Sequence, residues 1–137
     1  MWEQSLKMPK SVELSFYEGL CRRDPENWAA RKMLAETYTK EKFLNEALKE
    51  DMALCRHFTD DPSCFYNLAC SYAMIGRIQE SVETLKKAVH MGFDDLDWMV
   101  NDFDLRDAFE SEEFKDWLAT DPIVAQIISE MDSKSKK

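Results

Sequence analysis

Residues 61–90 read DPSCFYNLACSYAMIGRIQESVETLKKAVH, and this stretch predicts two helices joined by a tight turn. Asp61 is a favoured N-cap residue, and Pro62 after it is tolerated in the first turn of a helix. Gly76 interrupts the first apolar pattern, and a second one with similar spacing begins at Ile78. The first pattern has apolar residues at i, i+3, i+4 and i+7, which form one helix face: Phe65, Leu68, Ala69 and Tyr72.

The same pattern occurs a second time, 34 residues earlier in the chain. Asn27 is the corresponding N-cap residue of this earlier copy. A fixed period of this length is typical of helical hairpins that stack, because one hairpin cannot bury its apolar face alone. The aligned pairs are identical or similar in size: Leu34 with Leu68, Ala35 with Ala69, Tyr38 with Tyr72, Leu44 with Ile78, Glu46 with Glu80, Ala47 with Ser81 and Leu48 with Val82.

The later copy has the residue types and spacing of a known repeat, in the order Phe65-x2-Leu68-Ala69-x2-Tyr72, with Ser81 and Leu85 in later positions. This pattern resembles the tetratricopeptide repeat family. The earlier copy is a looser match, since Arg31 replaces the opening aromatic residue and Asp51 replaces the late one. The resemblance covers about residues 11–95 and implies an all-α fold, a right-handed superhelical array of antiparallel helix pairs with closing helices at its C-terminal end.

The resemblance also implies a division of the chain into segments. Residues 96–132 form a helical cap, because their apolar side chains are too numerous for a solvated tail. The opening half repeat is what we expect of a chain that ends a longer array or has been trimmed. The predicted segments are a flexible N-terminus (1–10), a partial repeat (11–27), two repeats (28–61 and 62–95), the cap (96–132) and a disordered tail (133–137).

A concave surface is expected along the first helix of each pair, where members of the family bind peptides or protein segments. Tyr and Met side chains adapt to an apolar partner, so the second repeat should supply the softer part of this surface. The residues carried onto it by the resemblance are Lys32, Met33, Glu36 and Lys40 from the first repeat, and Tyr66, Asn67, Cys70, Ala73 and Met74 from the second.

Two other interpretations of this surface remain open. The last helix could cover it, because its stripe of Ile123, Val124, Ile127 and Ile128 needs a place to be buried. A clamp for the carboxylate end of heat-shock chaperones is a narrower form of the peptide hypothesis. Lys32 and Asn67 match two of its five groups, but Glu36 stands where an Asn is expected and would repel a carboxylate. The sequence therefore favours another ligand over this clamp.

The charge of the chain limits its partners. The sequence has 27 acidic against 18 basic residues and a net charge of −9, which disfavours binding to a phosphate backbone. No apolar stretch is long enough to cross a bilayer, and residues 1–10 have no secretory pattern. We therefore expect a cytoplasmic protein with a protein or peptide partner, and neither nucleic acid nor a membrane.

Catalytic and metal-binding motifs are missing from the sequence. The four cysteines form no CxxC pair, and reduced, buried thiols are expected instead of zinc ligands or disulfides. His57 and His90 lie near predicted helix ends, where a cation stabilises the helix dipole. Only 3 glycines are present, and no phosphate-binding loop or calcium loop can be drawn. We expect no cofactor, no metal and no enzymatic activity.

The sequence thus predicts a non-enzymatic protein–protein interaction module. A second hypothesis is a self-assembling structural subunit, or a chaperone-like scaffold. In that case an apolar helix edge with Leu14, Phe16 and Leu20 would form homo-oligomers.

Overall fold

A computed structural model describes residues 9–135, and it contains helices and no strand within that range. The predicted all-α fold class is confirmed. Residues 1–8, most of the predicted flexible N-terminus, lie outside the described residues, and α9 extends into the predicted tail. The α-helices are α1 (Val12–Arg23), α2 (Trp28–Lys40), α3 (Leu44–His57), α4 (Pro62–Met74), α5 (Ile78–His90), α6 (Leu96–Val100), α7 (Arg106–Phe109), α8 (Glu112–Thr120) and α9 (Pro122–Ser135), with a 3₁₀ turn at Phe103–Leu105.

Two compact units divide the chain, one ending at Glu50 and the other beginning at Asp51. The division falls inside α3. Across residues 9–135, no helix is long and apolar enough to cross a membrane.

In the first unit, α1 lies antiparallel to α2. The Ser11 hydroxyl, at the start of α1, donates a hydrogen bond of 2.6 Å to Glu41 at the end of α2. The Lys40 ammonium likewise lies 3.0 Å from the Glu13 carboxylate. Between the helices lies a small core of Leu14, Leu34, Tyr38 and Ala47, against which Tyr17, Cys21 and Phe43 pack.

Tyr38 joins this core to a charged group. Its hydroxyl donates a hydrogen bond of 2.6 Å to Glu18 Oε2, which also accepts from Lys10 Nζ at 3.0 Å. Burial alone would raise the pKa of Glu18, but these two hydrogen bonds outweigh it and hold the pKa below its usual value. Burial and the neighbouring carboxylate raise the pKa of Tyr38, so the pair is a neutral phenol bonded to a carboxylate at neutral pH.

In the second unit, α4 and α5 form a closely packed hairpin. The Ser81 hydroxyl on α5 donates a hydrogen bond of 2.7 Å to the Ala69 carbonyl oxygen on α4, and both residues are fully buried. Small side chains at this crossing allow the helix backbones to approach each other. The apolar face of α5 is buried along its length, as the spacing predicted, through Val82, Leu85, Ala88 and Val89.

The 34-residue period is visible in the bounds of the helices. Helix α2 and helix α4 have 13 residues each and start 34 positions apart, and α3 and α5 also start 34 positions apart. The predicted N-caps are present, since the Asn27 side chain accepts from the Ala30 amide and the Asp61 side chain accepts from the Ser63 amide. The two hairpins therefore have one local plan.

The turns inside the two hairpins also have the same geometry. The Phe43 amide donates to the Tyr38 carbonyl, and the Arg77 amide donates to the Tyr72 carbonyl, each at 2.9 Å. This bond joins the sixth residue of a Schellman motif to the first, and the motif needs a residue with left-handed backbone just before the donor. Lys42, with φ 68°, fills that position in the first hairpin, whereas Gly76, with φ 85°, fills it in the second.

A side-chain contact accompanies each turn, as is common for this motif. The Phe43 ring centre lies 6.2 Å from that of Tyr38, in an edge-to-face arrangement. At the corresponding place, the Arg77 guanidinium lies 4.9 Å from the centre of the Tyr72 ring. In each hairpin a Tyr in the last turn of the first helix therefore supports the turn. Tyr38 contacts Phe43, and Tyr72 contacts Arg77.

Residues 93–120, named here the closing segment, pack against α4 and α5. They comprise α6, the 3₁₀ turn, α7 and α8. The short helices have side-chain N-caps from Asp95, Asp102 and Ser111. Their apolar residues belong to the core of the second unit, where Met99, Leu105 and Ala108 are fully buried and Phe114 and Trp117 are nearly so.

Helix α9 starts at a carboxylate shared by three groups. Asp121 Oδ2 lies 2.6 Å from His90 Nε2 at the end of α5 and accepts from Trp117 Nε1 at 2.7 Å. Its other oxygen accepts from the Ile123 amide. Burial would raise the pKa of Asp121, but these hydrogen bonds outweigh it and lower that pKa. Asp121 thus connects α5, α8 and α9.

Candidate interaction surface

The predicted binding residues of α2 lie at its surface. This first-hairpin face consists of Lys32, Met33, Glu36 and Lys40. Met33 is 38% exposed, which is high for a large apolar side chain, and Glu36 is also exposed. The hydrogen bond to Glu13 raises the pKa of Lys40, so this side chain is a fixed cation at neutral pH. The face combines positive charge with an exposed thioether.

The predicted binding residues of α4 are mostly buried. This second-hairpin face consists of Tyr66, Asn67, Cys70, Ala73 and Met74. Tyr66 and Cys70 are only 5% and 7% exposed, and Ala73 is almost completely buried. Met74 is half-buried and Asn67 is exposed. The softer part of the expected groove is therefore not open to solvent in the structure.

The closing segment covers this second-hairpin face. The Phe93 ring is stacked on the Tyr66 ring, with centroids 4.3 Å apart and planes within 7°. The Tyr66 hydroxyl donates a hydrogen bond of 2.6 Å to Asp102 Oδ2, and the Cys70 thiol lies 3.7 Å from the same oxygen. A segment with one aromatic and one acidic anchor thus occupies the face.

Burial at this contact changes the acidity of both α4 side chains. Burial raises the pKa of Tyr66, and the hydrogen bond to the Asp102 carboxylate raises it further. Burial and the same carboxylate raise the pKa of Cys70. Both groups stay protonated at neutral pH, so each can donate a hydrogen bond to Asp102.

The sequence left open that the last helix covers the predicted binding surface. In the structure an earlier segment of the chain covers the second-hairpin face instead. The closing-segment residues in contact with α4 come from positions 93–109, before α8. Helix α9 packs instead on α5 and α8, with Val124 fully buried and Ile123 and Ile128 exposed. The reason is the shared carboxylate of Asp121, which holds the start of α9 beside His90 and Trp117.

Asp102 and Phe93 are the site residues that the sequence pattern missed. Asp102 precedes the 3₁₀ turn, and its other oxygen caps that turn by accepting from the Asp104 amide. An Asp at such a place is typical of an N-cap, so its second role toward Tyr66 had no separate signal. Asp102 falls in the predicted cap (96–132), whereas Phe93 falls in the predicted second repeat (62–95), so the sequence contained an indication for Asp102 alone.

Burial also affects the thiols outside this face. All four cysteines lie within the described residues, and none is in a disulfide. Burial raises the pKa of Cys21 and raises that of Cys55 to about 12. Protonated thiols are poor nucleophiles and poor metal ligands. In residues 9–135 no three His, Cys, Asp or Glu side chains are grouped so as to hold a metal ion.

A shallow groove of about 560 Å³ runs between α5 and α8. Its walls include Glu83, Lys86 and Glu113, and His90 and Asp121 lie within it. Lys86 is paired with Glu83 at 3.3 Å. Acidic and basic side chains both line this open groove, and we assign it no ligand.

Comparisons with protein-family models, with curated proteins and with solved structures find no match to this chain.

Proposed function

We propose that the chain is a non-enzymatic interaction module that binds a peptide or protein segment on its first-hairpin face, within a short array of the tetratricopeptide type. One observation carries this proposal. The corresponding face of the second hairpin holds a segment of the chain itself, through Phe93 stacked on Tyr66 and Asp102 bonded to Tyr66. A face of this plan is thus suited to receive an irregular segment.

The chemistry of the partner follows from the aligned positions. At a shift of 34, Lys32 replaces Tyr66 and Lys40 replaces Met74. An ammonium group binds a carboxylate more strongly than a neutral phenol does, because attraction between opposite charges adds to the hydrogen bond. Met33 adds adaptable apolar area. We infer a partner segment with acidic groups near the two lysines and an apolar side chain on Met33.

Glu36 restricts how such a segment binds. It is exposed in the middle of the face, and a carboxylate placed beside it would be repelled. The acidic groups of the partner should therefore lie toward the two ends of α2, with the apolar side chain between them. A single carboxylate clamp at the centre does not fit this arrangement.

The cysteines support a cytoplasmic setting. Three of the four are buried and none is in a disulfide. Structural thiols of this kind are common in reducing compartments, where disulfides rarely form. We place the module in the cytoplasm on this basis.

A labelled peptide with the sequence of residues 91–107 tests the first-hairpin face, since it contains both anchors, Phe93 and Asp102. We expect the intact chain to bind it. The double variant Met33→Glu, Lys40→Gln should weaken binding by about tenfold or more, because an interface depends on a few central side chains. Fluorescence anisotropy of the peptide measures the affinity.

The matched control is Asn45→Glu, Lys49→Gln on α3, where both residues are exposed. It makes the same change in net charge away from the proposed face. Equal weakening in both variants, or binding that neither variant changes, rejects the first-hairpin face. Circular dichroism checks that each variant retains its helices.

Self-assembly through α1 is a second candidate function, supported by a specific observation. Val12 is 88% exposed and Phe16 is 55% exposed, and they lie one helical turn apart. Leu20, a further turn on, is half-buried, while Leu14 is fully buried in the core. The predicted edge of Leu14, Phe16 and Leu20 is therefore corrected to Val12, Phe16 and Leu20, because Leu14 faces α2.

The binding partner that we propose for this apolar stripe is a second copy of the chain. Sedimentation at rising protein concentration should reveal a dimer that the Val12→Glu, Phe16→Glu variant abolishes. A chain that stays monomeric at high concentration removes this candidate.

A further inference from the structure

The closing segment exposes a second apolar surface, distinct from the face that it covers. Trp98 is 64% exposed, Val100 is 51% exposed and Phe103 is 73% exposed. Neighbouring side chains of the same segment, Met99 and Leu105, are fully buried. The closing segment thus places some of its apolar side chains in the core and leaves three large ones exposed to water.

Acidic residues flank these exposed side chains in the sequence. Between positions 94 and 107 the chain has six Asp and one basic residue, Arg106, a net charge of −5 over these residues. Asp94, Asp95, Asp97 and Asp107 are exposed. Such a surface attracts cations and repels anions, so it disfavours nucleic acid and anionic lipid.

The protein itself shows how a cation binds there. The Arg106 guanidinium lies 3.8 Å from the centre of the Phe103 ring. This is a cation–π contact at an exposed site. An indole ring holds a cation more strongly than a phenyl ring, and Trp98 presents such a ring five residues earlier.

We propose that residues 94–107 form a docking surface for a basic amphipathic segment of a partner protein. Arginine or lysine side chains of that segment contact Trp98 and Phe103 and are balanced by the neighbouring Asp carboxylates. Its apolar side chains cover Val100. This surface is separate from the first-hairpin face, and the two differ in the charge of the partner that they select.

A short labelled peptide in which arginine and leucine alternate is the probe, with a peptide that has glutamate in place of arginine as its negative counterpart. The full chain should bind the arginine peptide, and added salt should weaken this binding, because exposed charges are screened. The Trp98→Ala, Phe103→Ala variant should bind about tenfold more weakly at unchanged net charge. Fluorescence anisotropy measures each affinity.

Charge variants separate local attraction from the overall acidity of the chain. Asp94→Asn, Asp97→Asn should weaken binding, whereas Glu26→Gln, Glu130→Gln, which removes the same charge from exposed sites elsewhere, should change it much less. Peptide binding that survives the aromatic variant, or that falls equally in both charge variants, overturns the proposal. Equal affinity for anionic vesicles, or for the glutamate peptide, also overturns it.

Discussion

The two hairpins have the same local plan, but their first helices face different environments. Position 32 is a half-buried Lys where position 66 is a buried Tyr, and position 36 is an exposed Glu where position 70 is a buried Cys. The lengths of the first helices and the backbone bonds of the turns are nevertheless the same, and each first helix has a side-chain N-cap. Local signals therefore determine the hairpin, while the segment that follows decides whether a face becomes core or surface.

The largest expected effect comes from removing the cover of the second hairpin. Leu105 is fully buried in the 3₁₀ turn that packs on α4. Leu105→Ala should lower the free energy of unfolding by about 3 kcal/mol, through lost apolar burial and the cavity that remains. Urea denaturation followed by circular dichroism measures this change.

Phe103→Ala, two residues earlier, is the matched control. Its side chain is largely exposed, so the loss should stay below about 0.5 kcal/mol. Similar losses for the two variants would mean that the closing segment is not part of the core.

A smaller effect is expected from the two hydroxyl-to-carboxylate bonds, one in each unit. Tyr66→Phe leaves the Asp102 carboxylate without its phenol donor and should cost about 2 kcal/mol. Tyr38→Phe should cost about 1 kcal/mol, because Lys10 still binds the Glu18 carboxylate. Urea denaturation at neutral pH compares the two variants, and a larger loss for Tyr38→Phe would contradict this order.

The Tyr38 bond also has a pH signature. The pKa of Glu18 is lowered in the folded chain. Its contribution to stability is therefore present above the unfolded pKa of Glu and is lost as the pH falls through the lower folded value. Tyr38→Phe removes one cause of the lowering, so its stability should fall less steeply in this acidic range. An unchanged slope would show that the neighbouring cations, Lys10 and Arg22, lower the pKa without Tyr38.

The smallest effect concerns the left-handed residue of each hairpin turn. Gly76→Ala should cost about 1 kcal/mol through backbone strain alone, because no atom lies within 4 Å of the added methyl group. Lys42→Gly should stabilise the chain by about 0.5–1 kcal/mol, since it relieves the same strain. If both variants shift the urea midpoint in the same direction, the two turns do not share this dependence on a left-handed residue.

The hairpins could be predicted from the sequence because their signals are local. Asn27 and Asp61 start the first helices, and the apolar period determines which side is buried. The burial of Tyr66 could not be predicted in this way, because its partner Asp102 is 36 residues away. Nothing in the repeat pattern states which non-repeating segment will fold back onto a given face.

The exposed surface of the closing segment illustrates the same limit. Trp98, Met99 and Phe103 all lie in the predicted cap, where apolar side chains are expected to be buried. Of these three, only Met99 is buried in the structure. Their placement depends on short helices and a 3₁₀ turn, whose lengths are too small for a periodic pattern.

The Ser81 hydroxyl that bonds the Ala69 carbonyl has a mechanical consequence. Interdigitated apolar side chains already resist sliding, and a hydrogen bond adds to this because it has a direction and a short range. The second hairpin thus has a fixed axial register. The aligned residue of the first hairpin is Ala47, and a different bond crosses its helices, since Arg31 Nε on α2 donates to Glu50 Oε2 on α3 at 2.9 Å. Because this ion pair is partly exposed, dissolved salt should weaken the axial register of the first hairpin more than that of the second.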